Sequence, residues 1–188
     1  LGGWLLVMHF LRCALTVNNT FAGYYLSFLP RYIPGTVWGY LGRSEWLVRQ
    51  HSIGYRKSSI GSLLEAGSFV ATALLVGALA YLSAPWQLPA IVVLAAAGVA
   101  AWPLLARAAS ATNEISQYLL IPVAYLAYFC YWCIQGLSLW AICRALGVGQ
   151  GVDLLHLTAA SAVGWSAGFL TLFVPAGFGV RELSLTYL

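Results

Sequence analysis

Polar and apolar residues do not alternate along this chain at the period of a soluble amphipathic helix; the apolar positions form long unbroken runs. A helix advances about 1.5 Å per residue, so about 20 apolar residues cross the roughly 30 Å hydrocarbon layer of a bilayer. Four runs meet that length: 58–82 with one charge (Glu65), 88–106 and 115–143 with none, and 154–174 with only His156. Each predicts a membrane-spanning helix. Between the first two lies Ser83-Ala84-Pro85-Trp86-Gln87, long enough only to reverse direction, with Trp86 suited to the headgroup level.

The remaining apolar stretches are shorter or punctuated. Residues 1–11 read as a partial span, and 13–30 as a partial or re-entrant one, because Asn18-Asn19-Thr20 interrupts it and Pro30, Pro34 and Gly35 follow. Proline removes a helical hydrogen bond and clashes with the preceding turn, so Pro30 and Pro34 are expected to break or kink the helix that meets them. Residues 183–188 read as the start of a further span. Lipid demands that backbone groups bond internally, and the runs lack the roughly ten-residue alternation of barrel strands, which leaves helices. The expected fold is all-α: a polytopic transmembrane helical bundle with broken or re-entrant segments, in one domain.

Composition agrees. The 188 residues are 61% hydrophobic and 7% charged, against roughly 25% charged in an average soluble domain, so lipid must cover most of the surface. The chain begins at Leu1 and stops at Leu188 inside a new apolar run, which predicts a fragment cut at both ends, and residues 1–11 lack the basic flank and cleavage site of a secretory signal. The net charge of +4 reflects topology: Arg31, Arg43, Arg49, Arg56 and Lys57 fall in 31–57, and alternating spans bring Arg107 and Arg181 to the same side, against Arg144 and Arg12 opposite. Loops rich in Lys and Arg stay cytoplasmic, which places 31–57 in the cytoplasm of a multi-pass cell-membrane protein. The basic residues are not interleaved with exposed aromatics, so no nucleic-acid partner is expected.

Two motifs carry the functional reading. Tyr32-Ile33-Pro34-Gly35-Thr36-Val37-Trp38 is followed by Gly42-Arg43 and then by Glu65 inside the next helix; far downstream stands Pro175-Ala176-Gly177-Phe178-Gly179-Val180-Arg181-Glu182. Together they resemble the lysylphosphatidylglycerol synthase transmembrane region, a flippase-like membrane family, over residues 32–182; Ala176 departs from the usual glycine there. The resemblance implies a domain that handles membrane lipids, in members similar to a translocase of aminoacylated phosphatidylglycerol, or else the membrane part of a lipid-modifying enzyme such as an aminoacyl-phosphatidylglycerol synthase or a partner of a glycolipid glycosyltransferase. The aminoacyl-transferring domain itself is not in these residues, so no synthase activity is credited to them.

An ionised carboxylate in a spanning helix costs roughly 2.5 kcal/mol or more at the helix centre, so Glu65 should face protein or water. An arginine such as Arg43 or Arg181 would partner it, either as a polar site or as a structural ion pair. Arg43 and Arg181 are also candidates for a lipid phosphate, since guanidinium binds phosphate bidentately, with Glu182 beside Arg181 in a flexible Gly-x-Gly setting. Gln135 is expected to bond between helices, or else to touch a lipid headgroup. Cys130-x-x-Cys133 has no second ligand pair and predicts no metal; no cofactor is expected. Gly164-x-x-x-Gly168 allows close helix contact, within the bundle or between copies in a homo-oligomer. Asp153 and His156 read as the N-terminal cap region of the last full span. No Ser/His/Asp set, phosphate loop or carboxylate dyad defines a hydrolase or kinase.

Overall fold

The computed structural model describes residues 1–28, 30, 33, 38–108, 115–148, 151, 153–171, 179 and 183. In chain order its helices are α1 (Gly2–Phe10), α2 (Val17–Phe28), α3 (Trp38–His51), α4 (Tyr55–Tyr81), α5 (Ala84–Ala108), α6 (Ile115–Tyr118), α7 (Leu120–Ala145) and α8 (Leu154–Leu170). No strand occurs among the described residues. The fold is all-α, and α4, α5 and α7 are long and apolar enough to cross a membrane.

Local chemistry sets the helix ends. α1 closes in a Schellman motif, with the Cys13 N–H donating to the Met8 carbonyl at 2.9 Å and the Arg12 N–H to His9 at 2.9 Å. This puts Arg12 in the left-handed region, φ 56°. α7 closes the same way with Gly147, φ 70°, at the corresponding position, where glycine meets no Cβ penalty. The reversal after α4 is tighter than the five-residue turn read from the sequence: α5 begins at Ala84. Gln87 reaches back to make this turn, its side-chain amide donating to the carbonyls of Leu79 and Leu82 at 3.1 and 3.0 Å and satisfying groups that the end of α4 leaves open. The 115–143 run is divided: α6 stops at Tyr118, and α7 starts at Leu120 with Pro122 in its first turn, where a missing N–H is harmless. α8 has 17 residues, and its carboxylate cap is Asp153, which accepts from the His156 N–H at 2.7 Å.

α1 is too short to span a bilayer, yet Trp4, Val7, Met8 and Phe10 are wholly buried. It is the hub on which α4 and α7 pack. A second apolar cluster joins α4, α7 and α8 through Ala73, Val76, Trp132, Ala159 and Ala162. Phe69 touches both, its ring 4.6 Å from that of Trp132 and 5.6 Å from that of Tyr128. α5 lies on the outside, with few residues buried apart from Gly98, Trp102 and Ala106. Small residues let α7 and α8 meet: a Cβ at Gly136 would stand 2.8 Å from the Thr158 Cα. Gly164 and Gly168 are buried in α8 within the bundle.

One expectation fails. Gln135 is exposed on α7 and has no side-chain hydrogen bond to another described residue. The inward ridge of α7 runs through Ala124, Tyr128, Trp132 and Gly136, a four-residue row that leaves position 135 off its edge.

Candidate functional site

The inward face of α4 carries a stripe of buried polar residues: Ser58, Ser62, Glu65, Ser68 and Thr72. The spacing of three and four puts them on one side of the helix. In a helix of membrane-crossing length each must find a partner within the protein, and most do. Ser68 accepts from the Trp102 indole at 3.0 Å, Thr72 accepts from the Trp132 indole at 3.2 Å, and Ser62 accepts from the Arg43 guanidinium at 3.1 Å.

Glu65 is the centre of this stripe. One carboxylate oxygen accepts from the Tyr24 hydroxyl of α2, and the other is paired with Arg43 of α3. The side chains of Arg43 and Glu65 are 1% and 8% exposed, so this is a buried ion pair. Three aromatic rings from three helices hold the guanidinium: its carbon lies 4.2 Å from the centre of the Trp4 ring, 5.2 Å from Tyr24 and 5.3 Å from Tyr40, a cation–π setting suited to a desolvated arginine. The Arg43 Nε has no hydrogen-bond partner among the described residues.

The carboxylate also borders a cavity of about 590 Å³ walled by α1, α2, α3, α4, α7 and α8. Half of its lining is aromatic, including Tyr24, Tyr40, Phe69, Tyr131 and Trp165, with Glu65 as the carboxylate. The Tyr128 hydroxyl, on the same wall, is buried without a hydrogen-bond partner among the described residues. A chamber of this size and character suits an amphiphilic molecule with a compact polar part.

Of the residues singled out in the sequence, the structure brings Arg43 and Glu65 together. Trp38 and Gly42 lie on α3, Trp38 exposed and Gly42 half-buried. Gly179 is a turn residue with φ 85°. Tyr32, Pro34, Gly35, Pro175, Gly177, Arg181 and Glu182 lie outside the described residues. Sequence reasoning passed over Tyr24, Trp4, Tyr40 and Ser62; the serine and threonine spacing along α4 was the available signal. Cys130 and Cys133 are exposed on α7, and no group of three or more His, Cys, Asp or Glu side chains gathers among the described residues.

In comparisons with known proteins, no family model, no curated protein and no solved structure matches this chain.

Proposed function

We propose that this membrane protein is a lipid-transport domain, a flippase-like module for an anionic or aminoacylated phospholipid, seated in the cell membrane with the 31–57 segment on the cytoplasmic side. The observation that carries the reading is the buried carboxylate at the wall of an aromatic chamber among membrane helices. Charge at that depth is costly and is kept where it serves a polar pathway or a structural ion pair, and here it borders a space large enough for a lipid headgroup. The motif resemblance read from the sequence supports the same class.

In this reading Arg43 fixes and neutralises Glu65, and Tyr24 orients the second carboxylate oxygen. The headgroup would enter beside Glu65 while the acyl chains remain in lipid. Five of the nine Lys and Arg residues fall within 31–57, which supports the orientation.

The test is reconstitution into liposomes with phosphatidylglycerol labelled on its headgroup, followed by a membrane-impermeant quencher. Parent protein should make the inner-leaflet label accessible within minutes, and Glu65→Gln, checked for monodispersity in detergent, should slow this at least tenfold. Equal rates with and without protein would refute the proposal.

A further inference from the structure

At the end of the bundle where α1 and α3 stop and α4 begins, a second cavity of about 500 Å³ is lined by Arg12, His51, Ser52, Gly54, Arg56 and Lys57, among others. It shares no lining residue with the chamber at Glu65. Arg12, Arg56 and Lys57 face it, with the Arg12 Nε also donating to Gln117 at 3.4 Å, and no carboxylate is among its described lining residues.

The helix ends around it and His51 bear on what it would hold. Arg12 and Ser52 both line it, and they are the two non-glycine residues with positive φ among those described, at 56° and 54°. Both stand just past a helix end, Arg12 after α1 and Ser52 after α3, where a left-handed residue closes the last turn. The start of α4 forms the Gly54 wall, and no side chain caps it, so the positive end of a 27-residue helix adds to the field. The Nε2 atom of His51 is buried without a hydrogen-bond partner among the described residues. Its ring is held edge-on to Trp46 at 4.7 Å, and as an imidazolium it would donate to an anion.

We propose that this cavity is a phosphate-binding site at the membrane–water boundary, with Arg56, Lys57 and Arg12 as its cationic ligands, His51 as a further donor and the α4 N-terminus beneath. Guanidinium, ammonium and helix-terminal N–H groups together match the charge and acceptor count of a phosphate mono- or diester. The phosphate could belong to a lipid headgroup or to a soluble anion. Because α4 is long and apolar enough to cross a bilayer and Arg56 and Lys57 stand in its first turn, a lipid can bring its phosphate to this depth. The assignment does not rest on the translocation proposal, since it concerns binding at a separate cavity.

The test is native mass spectrometry of the detergent-solubilised full chain, titrated with phosphatidylglycerol, with diacylglycerol of the same acyl chains, and with inorganic phosphate. The parent should hold phosphatidylglycerol at least tenfold more tightly than diacylglycerol, and the double variant Arg56→Gln/Lys57→Gln should lose about tenfold. Arg144→Gln, on α7 and outside this lining, should behave as the parent. Arg56→Gln alone removes an exposed side chain and should lose about threefold, which keeps the test valid if the double variant fails to fold. Displacement of the lipid by millimolar inorganic phosphate identifies a soluble anion as the ligand; retention identifies the headgroup. Equal affinity for phosphatidylglycerol and diacylglycerol with no phosphate binding, or unchanged affinity in the folded Arg56→Gln and double variants, overturns the site. A translocation defect in Glu65→Gln with normal phosphatidylglycerol binding would separate the two proposals.

Discussion

Breaking the Arg43–Glu65 pair should destabilise the bundle far more than removing it whole. Both side chains are buried, and truncating one partner of such a pair costs about 3–5 kcal/mol because the other charge is stranded. Glu65→Gln leaves Arg43 its Ser62 bond at 3.1 Å and its three aromatic neighbours, contacts that offset roughly 1–2 kcal/mol when desolvated; the expected loss is about 3 kcal/mol. Arg43→Met leaves the carboxylate with the Tyr24 hydroxyl and empties the space between the rings, for about 3–5 kcal/mol. The double variant Arg43→Met/Glu65→Gln removes both charges and should cost only about 1–2 kcal/mol, giving a coupling of about 4–7 kcal/mol. Unfolding in mixed micelles, followed by tryptophan fluorescence across a denaturant titration, measures all four corners of the cycle. Single losses that add to within about 0.5 kcal/mol would show that the two charges do not see one another, and the ion pair would lose its place at the centre of the site.

Other outcomes follow from single contacts. Gly136→Ala should destabilise by about 1–2 kcal/mol in the same titration, because its Cβ meets the Thr158 backbone at 2.8 Å and overpacking outweighs the helix propensity gained. Gly77→Ala should also destabilise by about 1–2 kcal/mol, since its Cβ meets the Val163 Cγ2 at 2.7 Å, on a β-branched side chain that α8 holds to one rotamer. Trp102→Phe should cost about 1–2 kcal/mol by leaving the buried Ser68 hydroxyl without its indole donor, whereas Trp86→Phe, exposed after the α4–α5 turn, should leave the midpoint unchanged. The backbone N–H and then the imidazole of His156 hold the Asp153 carboxyl below its ordinary value. A depressed folded-state pKa stabilises above the unfolded value near 4 and is lost as pH falls through the folded one. Hydrogen exchange in the first turn of α8 should therefore speed up below about pH 4, and Asp153→Asn should abolish that dependence.

The all-helical fold is legible in the sequence because apolar run length has one physical solution in lipid, and the charge count of 58–82 singles out Glu65 without any coordinates. Its partner is less legible: arginines on either side of the spans satisfy the same electrostatic requirement, and only the packing of α1, α2 and α3 against α4 decides for Arg43. Tyr24 and Trp4 look like ordinary membrane aromatics until three helices converge on one guanidinium. Gln135 shows the converse, because depth in a span does not by itself give a place on the inward face. A polar residue in an apolar run is informative once its helical phase is known. On α4 the phase was available, since Ser58, Ser62, Glu65, Ser68 and Thr72 repeat at three and four, while on α7 one glutamine sets no phase at all.

That contrast ties the site to the fold. A stripe of hydroxyls on α4 cannot face lipid without an energetic penalty, so it orients the helix, and the orientation delivers Glu65 to Arg43 and to the chamber wall. The same rotation turns two tryptophan indoles of α5 and α7 onto Ser68 and Thr72, which locks the neighbouring helices in register. Replacing the hydroxyls by alanine would free α4 to rotate, and the first property lost should be the geometry at Glu65. Helical content would persist, because the backbone ladder that holds α4 runs between its own residues.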